Sequence, residues 1–317
     1  MTDNYYKCCL LCPRHCGVNR LQGQKGYCRE SAELRVAVAV LHNGEEPPLI
    51  GKCGSGTIFI SGCNLRCVFC QNHQVSQGTG SGAIGKAVTI TEFADICLKQ
   101  QAAGAENINI VTGAHAIPAI IEGLTNAKDK GLKIPILWNS SAYESPEALD
   151  LLKNHVDFFL PDLKSLDSNI MSKFSNAPDY PQTAATAILK MIDLIASRYE
   201  KTTERIIIRH LVLPGYLEST HSVLRWFAEH AKGHALLSVM TQYTPVKTGN
   251  REQLTREAPG RYLQKTEYET VLGWLDEYNI EDGFCQELVT GSDWLPDFTR
   301  ENPFPSKLSV PVWSHTY

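Results

Sequence analysis

"GTIFISGCNLRCVFCQN", residues 56–72, runs from β-branched and aromatic residues straight into three cysteines, Cys63, Cys67 and Cys70, within eight positions. The apolar half reads as a strand buried on both faces. In open α/β sheets and barrels the reactive groups gather where strands end, and the cysteines stand at that end. Thiolates on so short a loop converge on one soft-metal site at little loop-closure cost. A structural zinc site takes four protein ligands and closes itself. Three thiolates suit a cubane iron–sulfur cluster with one iron left open. A zinc knuckle and a chance grouping of core thiols are the competing readings.

Five more apolar runs follow: "NINIVTG", "IPILWNSS", "VDFFLPDLK", "RIIIRHLVLPG" and "ALLSVMTQYTP". Helix punctuation separates them. Thr91 is placed as N-cap of a helix carrying Phe93, Ile96 and Cys97, with Cys97 as a small core residue. Ser145-Pro146-Glu147 reads as N-cap, first-turn proline and early acid ahead of Leu149 and Leu152. Residues 118–130 set Ile121 and Leu124 on one face, with Gly131 as the stop, and Ile188, Met191, Ile192 and Ile195 repeat the period. Strands alternating with crossover helices predict an α/β fold with a parallel sheet. The expected division is a cysteine-rich arm (1–50), the α/β body (51–245) and a C-terminal extension (246–317) whose "GNREQLTREAPGRYLQKTEYE" is polar and helix-prone.

The 317 residues carry a formal charge of −4 and are 43% apolar, which gives a sizeable core and no bulk attraction to nucleic acid or an anionic membrane. The start, "MTDNYYKCCLL", shows no secretory pattern, and no apolar run reaches membrane-spanning length, so the expectation is a cytoplasmic protein. Eleven cysteines there are better read as metal ligands or catalysts than as disulfides. Cys9, Cys12, Cys16 and Cys28 follow the pattern CxxCx3Cx11C, with Cys8 spare. Four thiolates can close a zinc site or hold a second iron–sulfur cluster, and so short an arm needs such a staple.

The spacing CxxxCxFC resembles the radical S-adenosylmethionine (radical SAM) superfamily. Together with "CLLCPRHCGVNR", "GEEPPLIGKCGSG", "NINIVTGAHAIP", "PDLKSLD" and "RHLVLPG", it resembles the subgroup related to the pyruvate formate-lyase activating enzyme that carries an N-terminal cysteine motif. The resemblance covers about residues 8–245. It implies a partial (β/α)6 barrel with Cys63, Cys67 and Cys70 holding a 4Fe–4S cluster. The open iron would chelate the methionine end of S-adenosyl-L-methionine (SAM), with Phe69 near the adenine and Asn72 beside the cofactor. Asp162 and Lys164 form the DxK motif that contacts the methionine moiety. Asn139, Ser140 and Ser141 stand where relatives have Asp-Thr-Asn-Gly, so Asn139 replaces an acid and Ala142 a glycine. Thr112 and His115 occupy the strand end where many members have Gly-Gly-Glu. His210 faces the pocket or is an interior histidine, and Gln242 and Tyr243 are further candidates.

The implied chemistry is reductive cleavage of SAM to a 5′-deoxyadenosyl radical that abstracts a hydrogen atom, activating a glycyl radical enzyme. Flavodoxin or ferredoxin would supply the electron. A peptide or small metabolite is the alternative target, and a zinc-binding scaffold without catalysis the alternative from another class.

Overall fold

The computed structural model describes residues 2–78, 83–246, 258–305 and 307–316. A short helix, α1 (Thr2–Tyr6), leads through the cysteine-rich coil to β1 (Leu34–His42). β1 lies antiparallel to β2 (Ser55–Ile60), and β3 (Lys86–Val88) pairs with its first residues. From β2 the sheet turns parallel through β4 (Ile108–Val111), β5 (Ile136–Ser140) and β6 (Phe158–Pro161). β7 (Ile207–Leu211), β8 (Leu236–Met240) and β9 (Gly283–Cys285) form a second parallel group. Bridges Phe159↔Ile206 and Asp162↔Arg209 carry β6 on to β7. The six apolar runs are β2 and β4 to β8, and the parallel α/β sheet expected from them, with the partial barrel that the resemblance implied, is the fold.

Period-two alternation builds the two sides. Ile136, Trp138, Phe159, Ile206 and Ile208 face outward into the main core. They meet Phe93 of α4 (Ile90–Ala102), Leu124 of α5 (Ile117–Asp129), Leu149 of α6 (Pro146–Leu152) and Ile188 of α8 (Tyr180–Ala196). Leu137, Leu160 and Ile207 face inward and are plugged by Leu49 of the short helix α2 (Pro47–Ile50). Each such buried side chain contributes about 1.5–3 kcal/mol.

Four strands, β1, β3, β9 and β10, lie outside the six runs. β1 inserts between β2 and β10 (Ser309–Ser314), pairing Val38 with Ser314 and His42 with Ser309. The polar stretch after 245 falls partly on 247–257, outside the described residues, and its later part opens α10 (Lys265–Glu277), which packs on α9 (Leu217–His230). Among the described residues no helix is long and apolar enough to cross a membrane.

The N-cap of α4 is Thr89, not Thr91. Thr89 Oγ1 accepts the Glu92 N–H at 3.1 Å while the Glu92 carboxylate accepts the Thr89 N–H at 2.7 Å. This reciprocal box needs an acid three residues after the cap, which Thr89 has and Thr91 lacks. Replacing Thr89 with alanine is expected to lower stability by about 1 kcal/mol, read as the urea midpoint, with no effect from Thr91→Ser. Ser145, by contrast, caps α6 as expected, accepting the Ala148 N–H.

Candidate active site

The loop after β2 buries its sulfurs. Cys63 and Cys67 are 7% and 6% exposed, and Cys70 is half-buried. Each sulfur accepts hydrogen bonds: Cys63 from the Leu65 N–H at 3.3 Å, Cys67 from Ser175 Oγ at 3.1 Å, Cys70 from Ser76 Oγ at 3.4 Å. Ser76 ends α3 (His73–Ser76) and Ser175 ends α7 (Ser168–Ser175). Burial pushes the Cys67 thiol up to about 12 and the Cys70 thiol in the same direction. A thiolate there is favourable once a cation binds, because the metal replaces the lost hydration.

All three cysteines border a cavity of about 410 Å³. Parallel register sets Phe59, Val111 and Asn139 side by side on its wall. Phe69, Asn72, Thr112, Ser141, Asp162, Lys164 and Gln242 line it as well. Lys164 Nζ donates to Asp162 Oδ2 at 2.7 Å. Burial alone would discharge this lysine, but the hydrogen-bonded Asp162 carboxylate holds it charged. Two of the wall's turns are left-handed at residues with a side chain, Thr112 at φ 57° and Ala142 at φ 54°. Ala142 keeps the left-handed backbone that glycine adopts at no cost.

Below this ring lies a charged floor. Arg209 is gripped by both carboxylates that precede α2: Nε donates to Glu46 Oε1 at 2.8 Å, and Nη2 meets Glu45 Oε2 and Glu46 Oε2. Asn109 Nδ2 donates to the other Glu45 oxygen at 3.0 Å. Burial, the largest influence, raises Glu46, yet the Arg209 charge and its hydrogen bonds outweigh it and hold the carboxyl below its usual range. The far wall comes from the C-terminal extension, through Gln286, Trp294, Pro296 and Phe304.

The model of the Radical SAM superfamily matches residues 57–227, more than half of the chain. The chain belongs to the radical SAM superfamily. It is 32% identical over 286 residues to an uncharacterized protein of Methanocaldococcus jannaschii, covering 89% of this chain and 78% of that protein. Its fold is similar to that of SuiB from Streptococcus suis, with a TM-score of 0.51 and 13% identity over 74% of this chain and 48% of that one. A radical SAM methyltransferase from Sphaerobacter thermophilus gives 0.50 and 12% over 73% and 66%. The chain thus spans about half the length of SuiB and about two thirds of the methyltransferase.

A radical SAM protein implies a 4Fe–4S cluster and SAM, and the residues here fit both. Three soft donors share one cavity. On the same wall the buried Ser141 Oγ has no hydrogen-bond partner within the protein, as a group reserved for a ligand would. Lys164 supplies a cation of the kind a carboxylate ligand pairs with.

Several radical SAM site expectations change. His210 does not line the cavity. Its Nδ1–H donates to Leu163 O at 2.8 Å and its Nε2 accepts from Thr220 Oγ1 at 2.9 Å, with burial pulling it down to about 4. It is an interior histidine. His115 is also off the cavity wall: Nε2–H donates to the Ser61 carbonyl at 2.8 Å, and burial, with Arg20 nearby, takes it down to about 3. Its contact fixes the backbone that leads into the cysteine loop. Tyr243 turns away, its hydroxyl donating to Pro259 O at 2.8 Å, and Ser140 Oγ turns to the Ala142 N–H. The sequence reading missed His42, Glu45, Arg209, Trp294 and Phe304. For Arg209 a signal existed: β7 alternates, so choosing His210 as outward places Arg209 inward beside Asp162.

In the amino-terminal arm the Cys9 N–H donates to Val18 O and the Gly17 N–H to Cys9 O, both at 3.1 Å, while Cys16 Sγ accepts the Tyr27 N–H at 3.3 Å. Cys9, Cys12 and Cys28 are buried, and burial pushes the Cys12 and Cys28 thiols up to about 12 and about 11. Among the described residues no three His, Cys, Asp or Glu side chains converge tightly enough to hold a single metal ion. The arm docks on the radical SAM loop itself. Arg14 Nε donates to Asn64 O and Nη2 to Ser175 O, both at 2.9 Å, with its guanidinium 3.8 Å over the Tyr27 ring. A Cβ at Gly62, φ 83°, would stand 2.5 Å from Glu30 Cγ and 2.8 Å from Cys28 O, so this contact requires glycine.

Proposed function

We propose that this protein cleaves SAM reductively and removes a hydrogen atom from a glycine of a partner protein, activating a glycyl radical enzyme. The observation that carries the reading is the convergence of the three-cysteine loop with the Asp162–Lys164 pair on one cavity. When bound, the cluster and SAM supply the 5′-deoxyadenosyl radical, and the protein supplies everything that positions it. In this reading Cys63, Cys67 and Cys70 hold the cluster, leaving one iron open. Lys164, kept charged by Asp162, neutralises the cofactor carboxylate. Asn139 and Ser141 take ribose hydroxyls, Thr112 and Asn72 close the sides, and Phe69, braced edge-on by Phe174 at 5.9 Å, flanks the adenine. A cavity of about 410 Å³ is at the small end for one drug-sized ligand, which suits a target that inserts only a small group such as a glycine.

Anaerobic reconstitution with counting of iron, followed by assay for 5′-deoxyadenosine under dithionite, tests the chemistry. Co-incubation with a glycyl radical enzyme tests the target, the expected result being a stable doublet by electron paramagnetic resonance. Cofactor cleavage without that doublet transfers the proposal to a peptide or small metabolite, a second reading favoured by the wall that Trp294 and Phe304 supply. Flavodoxin or ferredoxin remains the proposed donor. Cys9, Cys12, Cys16 and Cys28 are proposed as a second metal site: zinc, or iron beyond the ~4 atoms of one cubane, distinguishes its two forms. Colourless protein with zinc alone would leave the scaffold reading standing instead.

A further inference from the structure

The cavity has a lower half that the cofactor contacts above do not use: His42, Glu45 and Arg209 below, with Phe304 beside them. Its charges exclude one substrate class. Arg209 is already bound by Glu45 and Glu46, and Lys164, paired with Asp162, is the cation that the SAM carboxylate takes up in the reading above. Among the described residues lining the cavity these are the two cations, because burial lowers His42 and keeps it neutral. An anionic substrate would find no cation to receive it. Two carboxylates against one guanidinium instead leave the floor one negative charge in excess, and Glu45 is the one that borders the cavity.

An aromatic face continues from that carboxylate. His42 Nδ1 lies 3.8 Å from Glu45 Oε1, and the His42 ring meets Phe304 edge-on at 4.7 Å. Phe304 in turn packs 5.5 Å from Phe59, also on the wall. A carboxylate next to aromatic rings favours an organic cation through charge and the ring quadrupole together. The buried Trp294 Nε1, which has no hydrogen-bond partner and belongs to a residue on the same wall, is an independent sign that a polar ligand completes this space.

We propose that the lower half of the cavity is a substrate subsite for an alkylammonium group, held by Glu45 and packed against Phe304. The group would come from a lysine side chain near the target of a partner protein or from a free amine. The inference rests on the SAM-cleaving reading and names the substrate chemistry of that site.

The test is calorimetric titration of the reconstituted, SAM-loaded protein without reductant. The probes are pentylamine, pentanol, pentanoate and N-acetyl-glycyl-lysinamide. Pentylamine is expected to bind at least about tenfold tighter than pentanol, and pentanoate more weakly than either. Glu45→Gln should cut the amine preference to about threefold or less. Phe304→Leu, which keeps every charge, should reduce it by about three- to fivefold. Tighter binding of the lysinamide than of pentylamine assigns the subsite to a peptide, and the reverse to a free amine. Equal affinity for amine and alcohol, no measurable amine binding at millimolar concentration, or a preference that survives Glu45→Gln overturns the proposal. Failure of 5′-deoxyadenosine formation sinks the SAM reading through a separate measurement.

Discussion

Cys67→Ala should abolish SAM cleavage. In the proposed reading the variant loses one of the three thiolates that hold the cluster, at a position 6% exposed where no water can substitute for the ligand. Iron is expected to fall from ~4 atoms at this loop to near zero, and 5′-deoxyadenosine formation by at least about a thousandfold. Cys97→Ala is the matching control. Cys97 is fully buried in α4 within the main core, so its loss costs about 1–2 kcal/mol of stability through the cavity left behind. Iron content and cofactor cleavage should survive that change. Brown, active protein after Cys67→Ala would remove the assignment of the loop.

The second large effect is on stability. Arg209→Leu leaves the neighbouring Glu45 and Glu46 carboxylates at the floor without their counter-charge. Removing one partner of a buried ionic group costs about 3–5 kcal/mol, because the remaining charge stays desolvated. Adding Glu45→Gln and Glu46→Gln to the variant should return about half of that. The pH dependence reverses sign between the two proteins. In the native protein the Glu46 carboxyl is held below its usual range, so its contribution is present above the ordinary carboxylate pKa of about 4.3 and fades as pH falls through the folded value. Without Arg209, burial is unopposed and lifts the same carboxyl, so the variant regains stability as it is acidified. Urea midpoints at pH 7.5 and 5.5 read this directly. A deficit that stays constant across that interval would mean that Glu46 is not the group responsible.

The barrel strands were legible because parallel strands buried on both faces must be apolar throughout, and "IPILWNSS" or "RIIIRHLVLPG" admits little else. β1 and β10 were not, since "LRVAVAVLH" and "SVPVWS" gain their meaning from pairing with each other across most of the chain. The cysteine loop announces itself by spacing, and Asp162 and Lys164 by standing as charges at the end of an apolar run. The floor is different in kind. Glu45 and Glu46 sit in "GEEPPL", which reads as a solvated turn until Arg209 is placed opposite it. His210 drew attention as a titratable residue on a strand, but alternation points it at Thr220 and leaves its neighbour to face the cavity.

The separation between Glu46 and Arg209, 163 positions along the chain, also sets a timetable for synthesis. At about 5–20 residues per second, the acidic turn leaves the ribosome on the order of ten seconds before its guanidinium does. Until then Leu49 and Asn109 can already hold the turn against the earlier strands, but its two carboxylates lack their counter-charge. Full burial of the two carboxylates at the floor is thus a late event of biogenesis, completed by one long-range electrostatic contact.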